Sequence, residues 1–363
     1  MSRKLLSYTA IGLILGSTAI ADVPKVAVDI APVHSLVARV MDGVGSPKLV
    51  IPAGASPHEY SLRPSEAKSL QDADMVIWIG EDLAPWMENS IETLSKNAEV
   101  ITLLKESETK LLEFREGALF EEHDHGDHDD HDDHDKDHDA HDDHDKEHDD
   151  HDKEHDDHDD HDDHDDHDDH DEHDEHDDHD EHDDHGDHDD HAHGEHDPHA
   201  WLSIENAQTW LNLVAGKLSA ADPDNAGVYF ANAAAAREEI NDLVKDVNSI
   251  LEPVRGRNFV VFHDAYQYFE TSFNFPAAGA ISLGDATDPS AARIAEIQGR
   301  VKDEGINCVL SEPQYNANLV ATVLSGTDAK TGVIDPLGLG LEPGPKLYGD
   351  LIRNMAKALA GCL

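Results

Sequence analysis

Short apolar runs alternate with amphipathic segments along the first hundred residues. Because strand and helix signals alternate with short loops, the pattern is typical of βαβ units around a parallel sheet. Strands are predicted at KVAVDI (25–30), KLVIPAG (48–54, strand then turn), DMVIWIG (74–80) and EVITLL (99–104), and helices at 35–44, 63–73 and 85–97.

The same alternation returns in the last hundred residues. Strands are predicted at NFVVFHD (258–264), AAGAISLG (277–284), INCVLSE (306–312) and TGVIDPLG (331–338), and helices at 265–273, 289–305, 316–326 and 345–361. The chain therefore carries two similar sets of β/α units.

Between the two sets lie two helical patterns. Residues 203–220 are amphipathic, and a longer helical pattern runs from Pro223 to Leu251, bounded by Pro253. The simplest architecture is an α/β protein in which two lobes of β/α units, with parallel-type sheets, are joined by one long rigid helix. The expected divisions are an N-terminal lobe over 22–221, a linking helix over 222–252 and a C-terminal lobe over 253–363. A ligand is expected in the cleft between the lobes, near carboxyl ends of strands.

A His/Asp-rich insert interrupts the first lobe. Residues 121–200 hold 44 of the 80 acidic residues and 26 of the 29 histidines. Residues 123–196 have no apolar side chain larger than alanine, so they cannot offset the entropy of ordering a backbone. We therefore expect a disordered loop over 121–197. Imidazole and carboxylate both bind Zn²⁺, and the loop should hold several weak, exchanging metal ions and release them below about pH 6.5. A solvated linker with incidental metal binding is the alternative.

Outside the insert the chain is only mildly acidic. The formal net charge is −54 for the whole chain, most of it in the insert. Such a charge argues against nucleic acid and anionic membranes as partners, and favours cations.

The N-terminus carries an export signal. Arg3 and Lys4 precede an apolar stretch that ends in Ala19-Ile20-Ala21, the pattern of a signal peptide (1–21) cleaved after Ala21. An uncleaved anchor is the alternative. The chain has only two cysteines, Cys308 and Cys362, and an even pair in an exported protein suggests a disulfide. A pair of zinc thiolates is the other reading.

Three histidines lie in short motifs outside the His/Asp-rich insert or at its edge. His58 lies in GASPHEY after a strand, His199 in DPHAWL where the insert ends, and His263 in VVFHDAY at a strand end. Side chains at strand ends of both halves can converge on one cleft, although such wide spacing is not a motif. Hydrogen-bonded core or surface histidines are the bland alternative.

Three further polar residues have other predicted roles. We expect His34 to be structural, Asp264 to cap the helix that follows it, and Glu312 to line the cleft without binding metal.

Four motifs carry a family resemblance. GASPHEYSLRPS, DPHAWLS, VFHDAYQYF and TGVIDPLG, in this order, resemble the metal-binding family of solute-binding proteins that serve ABC importers of zinc and manganese. The resemblance covers residues 24–363, and the His- and Asp-rich insert before DPHAWL is similar to that of ZnuA-type members.

The resemblance implies a set of roles. His58, His199 and His263 match three histidine ligands of Zn²⁺, and Asp335 matches a fourth ligand or a nearby acid. Glu59 is a possible labile ligand, with water or a histidine of the insert as other candidates for the fourth position.

The resemblance also implies a setting. It implies a Cys308–Cys362 disulfide, a periplasmic location, a monomer and an inner-membrane ABC permease as partner. An auxiliary periplasmic zinc chaperone is a further candidate partner.

Three other functions compete with zinc transport. A zinc enzyme would need three histidines, a water and a base such as Glu59, but the chain lacks HExxH and a nucleophile elbow, so we expect no enzyme. A periplasmic zinc buffer or metallochaperone would act mainly through the insert. Manganese transport is disfavoured by His263, since manganese-type relatives place a carboxylate at that position and imidazoles suit zinc.

Overall fold

The computed structural model describes residues 23–115, 196–282, 290–303, 305–314, 320–322 and 324–363. The predicted signal peptide and nearly all of the predicted loop 121–197 lie outside these residues, as do residues 316–319 and 323 of the predicted helix 316–326. None of the described helices is long and apolar enough to cross a membrane.

The first sheet has four parallel strands in the order β2-β1-β3-β4. Its elements are β1 (Val26–Val28), α1 (Ala31–Val40), β2 (Lys48–Leu49), α2 (Pro64–Gln71), β3 (Met75–Trp78), α3 (Pro85–Leu94) and β4 (Glu99–Thr102). All three helices have proline in their first turn, where the missing N–H leaves no helical bond unmade.

The second sheet repeats this plan, with the parallel order β6-β5-β7-β8. Its elements are β5 (Phe259–His263), α6 (Gln267–Phe273), β6 (Gly279–Ser282), α7 (Ala291–Asp303), β7 (Cys308–Ser311), β8 (Lys330–Val333) and α8 (Leu347–Cys362). In each sheet the first strand in sequence is central, so the strand order reverses beside it. Ligands bind at the carboxyl ends of strands at such a reversal, and His263 ends β5.

Two helices lie between the sheets in sequence, α4 (Ile204–Ala221) and α5 (Ala226–Leu251). A 3₁₀ turn at Pro223–Asn225 precedes α5. Helix α5 has 26 residues, which corresponds to a length of about 39 Å at 1.5 Å per residue. Its buried side chains recur every three or four positions and form one apolar stripe: Tyr229, Ala233, Ala236, Ile240, Leu243, Val247 and Leu251.

One hydrophobic core runs through both sheets. It includes Val26 and Ile77 of the first sheet, Ile240 of α5, and Val261 and Leu310 of the second sheet. A smaller cluster covers the other face of the second sheet, since strand residues alternate between faces. The predicted α/β class with two parallel sheets and a long joining helix is confirmed. The lobe boundaries at residues 221 and 253 stay predictions.

Candidate metal site

His58 lies in the loop between β2 and α2. The loop is fixed by the indole of Trp86, whose Nε1 donates to Pro57 O at 2.8 Å. Tyr60, two residues after His58, donates its hydroxyl to the Glu66 carboxylate at 2.9 Å. These anchors on either side present a half-buried imidazole to the second lobe.

His199 precedes the 3₁₀ turn Ala200–Leu202 and is 2% exposed. Oδ1 of Asp197 accepts from the backbone N–H of His199 at 2.9 Å and lies 2.8 Å from its ring Nδ1. One carboxylate thus fixes both the backbone and the ring. Trp201 follows and donates its Nε1 to Pro336 O at 2.9 Å, which ties this turn to the loop after β8.

His263 is buried at the end of β5, and its Nδ1 is hydrogen-bonded to the buried carboxylate of Glu312, just after β7. The two strands are neighbours in the parallel sheet, so their carboxyl ends bring the two side chains together. A second imidazole therefore has its Nδ1 held by a carboxylate.

The three imidazoles converge. One ligand nitrogen from each of His58, His199 and His263 lies within 4.8 Å of the others, and the Nε2 atoms of His199 and His263 are 3.3 Å apart. The small cavity beside the rings, ≈ 20 Å³, can hold one water-sized body and is far too small for an organic ligand.

The protonation states follow from the partners. A carboxylate can only accept a hydrogen bond, so Nδ1 of His199 and of His263 carries the proton and Nε2 keeps its lone pair. The two Nε2 atoms are 3.3 Å apart and each presents a lone pair, so a cation between them stabilises this arrangement. Three imidazole nitrogens with one open position are a donor set that Zn²⁺ accepts.

The two other predicted site residues, Asp335 and Glu59, are not part of the three-histidine group found among the described residues. Oδ1 of Asp335 accepts from the backbone N–H groups of Leu337 and Gly338, both at 3.0 Å. Burial raises the pKa of Asp335 and these hydrogen bonds oppose the rise. Glu59 is exposed. The roles of Asp335 as fourth ligand or nearby acid and of Glu59 as a labile ligand stay predictions.

Two sequence expectations were wrong. Asp264 does not cap the next helix, whose N-cap is Tyr266; its carboxylate instead pairs with Arg115, because a buried charge needs a charged partner. Asp197 was assigned to the disordered loop 121–197, yet it is 1% exposed and hydrogen-bonded to His199.

Asp197 and Arg115 were the residues that sequence reasoning missed. The signal for Asp197 was its position two residues before His199, since Asp side chains accept backbone N–H groups two residues on. His34 behaves as expected of a structural residue, with Nε2 3.2 Å from Pro47 O.

A disulfide joins Cys308 at the start of β7 to Cys362 at the end of α8, with 5.7 Å between their Cα atoms. The zinc-thiolate reading of this pair is therefore wrong, and the disulfide prediction is confirmed.

A sequence model of the family described as "Zinc-uptake complex component A periplasmic" (ZnuA) matches residues 26–362. The chain belongs to the ZnuA family. The high-affinity zinc uptake system protein ZnuA of Paracoccus denitrificans is 44% identical over 353 residues, covering 96% of this chain and 95% of the relative. The family consists of transport components, which excludes the zinc-enzyme reading, and its description places them in the periplasm.

Solved ZnuA structures share the fold. A crystal structure of ZnuA has a TM-score of 0.65 at 18% identity and covers 94% of this chain and 99% of that chain. A ZnuA deletion mutant with zinc bound has a TM-score of 0.64 at 18% identity, with 94% and 98% covered.

Proposed function

We propose that this chain captures Zn²⁺ in the periplasm with His58, His199 and His263 and delivers it to an inner-membrane ABC permease. The convergence of three ligand nitrogens within 4.8 Å carries the proposal. Membership of a zinc-uptake family supports zinc as the cargo. Three histidines leave a fourth coordination position for an exchangeable ligand, which is water, Glu59, Asp335 or a histidine of the insert. Exchange at this position gives a route for zinc release.

Zinc is favoured over manganese by the donor atoms. All three groups are imidazoles, which suit zinc, whereas manganese prefers carboxylate and water oxygen. The carboxylates of Asp197 and Glu312 are hydrogen-bonded to Nδ1 of His199 and of His263, and they orient these rings.

The insert serves this site as an accessory zinc collector or sensor. Its imidazoles and carboxylates are numerous, and weak sites beside a tight one raise the local supply of metal. A buffer that acts through the insert alone is the competing function, and an auxiliary periplasmic zinc chaperone is a further partner. The binding protein works as a monomer.

The deciding experiment measures zinc affinity by competition with a chelator of known affinity. Residues 117–195 are replaced by a short glycine-rich linker, which is feasible because Glu113 and His196 pair in a β-bridge. One tight site is expected in the shortened chain, and the weak sites of the intact chain are expected to disappear. Loss of the tight site with the insert would make the buffer reading the better one.

In the shortened chain each ligand histidine is then changed to alanine. The loss of zinc affinity should exceed the roughly 10- to 100-fold typical of losing a hydrogen-bond partner of a ligand. His34→Gln is the matched control, because this histidine lies outside the three-histidine group and glutamine can still donate to Pro47 O. Delivery is tested by zinc-dependent stimulation of the reconstituted permease ATPase.

A further inference from the structure

The segments that lead into and out of the insert pair with each other. Asp197 N donates to Leu112 O at 2.9 Å, and Glu113 and His196 form an antiparallel bridge. We call residues 112–115 and 196–197 the root of the insert.

The first two residues of α6, Gln267 and Tyr268, bind the root through hydrogen bonds. The hydroxyl of Tyr268 accepts from Leu112 N–H at 2.9 Å and donates to Asp197 O at 3.0 Å. The amide of Gln267, oriented so that its nitrogen faces two acceptors, donates to Glu113 O and to Asp197 Oδ2, each at 3.1 Å. One helix therefore holds both sides of the root.

Arg115 adds an ion-pair network to the same contact. Its Nε donates to Asp264 Oδ2 at 2.9 Å, and its Nη2 is hydrogen-bonded to the other oxygen of that carboxylate. Nη1 and Nη2 donate to the two oxygens of Glu270 at 2.8 and 3.1 Å. The side chains of Arg115, Asp264 and Glu270 are 16%, 6% and 5% exposed, so water screens the network little.

Both sides of the root end next to a proposed ligand. On one side Asp197 holds the ring of His199 through Nδ1. On the other, Arg115 holds Asp264, the residue after His263. We infer that the root of the insert positions His199 and His263 for metal, with Arg115 as its main positioning residue. This inference rests on the proposed function.

The electrostatics explain why an arginine is needed. Asp264 and Glu270 are two buried carboxylates that share one guanidinium, and a buried charge is costly unless it is paired. Without the guanidinium, two buried charges lose their partner and the turn that follows His263 loses its hold. Lysine supplies the charge but cannot bond both carboxylates bidentately.

The test compares Arg115→Met and Arg115→Lys in the shortened chain. The readouts are the rate of zinc release to excess chelator and the visible absorption spectrum of the Co²⁺-loaded protein, which reports ligand geometry. Arg115→Met should release zinc at least about 10-fold faster, in line with other outer partners of metal ligands, and should alter the Co²⁺ spectrum. Arg115→Lys should recover part of both.

The matched control is Arg39→Met. Arg39 makes a two-bond pair with the exposed carboxylate of Glu239, at 3.2 and 2.9 Å, and not with a residue of the root or the site, so its loss should leave zinc release and the Co²⁺ spectrum unchanged. A wild-type release rate and spectrum in Arg115→Met would overturn the inference.

Tyr268→Phe keeps the inference testable if Arg115→Met does not fold. It removes only the hydroxyl that joins the two sides of the root, and it should speed zinc release several-fold. Tyr229→Phe is its control, because that buried hydroxyl bonds Asp222 at 2.8 Å and no residue of the root or the site. Equal release from both variants would also overturn the inference. The histidine-to-alanine series separates this failure from a failure of the proposed function. If the proposed function is wrong, the alanine variants keep tight zinc binding; if only this inference is wrong, they lose it.

Discussion

Nε2 of His199 lies 3.3 Å from Nε2 of His263, although 64 residues separate them in the chain. A carboxylate behind each ring, Asp197 or Glu312, turns the two lone pairs toward each other. The fold therefore holds two imidazole nitrogens in an arrangement that a shared cation would stabilise.

The first prediction concerns these two carboxylates. Asp197→Asn and Glu312→Gln should each lower zinc affinity about 10- to 100-fold, because an amide nitrogen in place of an acceptor oxygen no longer fixes the Nδ1–H tautomer. Chelator competition measures the change. Asp222→Asn changes a buried carboxylate that contacts none of the three histidines, and it should keep wild-type affinity. Unchanged affinity in both site variants would refute this role.

The second prediction concerns the disulfide. Cys308 and Cys362 are 54 residues apart, and removing a cross-link over such a loop should lower the free energy of unfolding by about 4 kcal/mol in the chain-entropy model. Urea unfolding of Cys308→Ser/Cys362→Ser against the oxidised wild type measures this. Zinc affinity of the folded variant should not change, because the disulfide lies where β7 begins and Glu312 lies after β7 ends. A large loss of affinity would show that the disulfide shapes the site.

The third prediction concerns Asp29, which is fully buried at the end of β1. Its two oxygens accept from Ile30 N and Ile79 N, each at 2.7 Å. Asparagine offers only one acceptor oxygen, so Asp29→Asn should lower the free energy of unfolding by about 1–3 kcal/mol. Chemical denaturation measures the difference.

The pH dependence of this difference has a definite sign. Burial raises the pKa of Asp29 to about 7 against the opposing backbone hydrogen bonds. Between about pH 4, the ordinary value for Asp, and pH 7 the folded chain binds a proton that the unfolded chain lacks, so this contribution to stability grows as pH falls and is lost as pH rises through 7. The gap between wild type and Asp29→Asn should therefore widen from pH 8 to pH 5. A gap that narrows would contradict the raised pKa.

The fourth prediction concerns metal stoichiometry. The insert's histidines should protonate below about pH 6.5, so the intact chain should lose most of its weakly bound zinc between pH 7.5 and 5.5. Equilibrium dialysis of the intact and shortened chains at both values separates the two classes of site. Weak zinc that persists at the lower value would assign it to carboxylates.

The sequence predicts what is periodic or local. The two sets of strands and the stripe on α5 follow from spacing, and His58, His199 and His263 stand out because they lie at strand or loop ends beside recognisable motifs. What it misses are side-chain pairs with no period. Arg115 meets Asp264 across 149 residues, and no local pattern indicates that pairing. Asp264 was misread for the same reason, since an Asp before a helix is a good cap until a buried guanidinium competes for it.

The contact between the backbone N–H of Tyr348 and the hydroxyl of Ser35, at 2.9 Å, has a consequence for the order of synthesis. It places α8, near the C-terminal end of the chain, against α1, the first helix, with 313 residues between the partners. The contact between α1 and α8 can therefore form only after the segment that contains α8 has been synthesised.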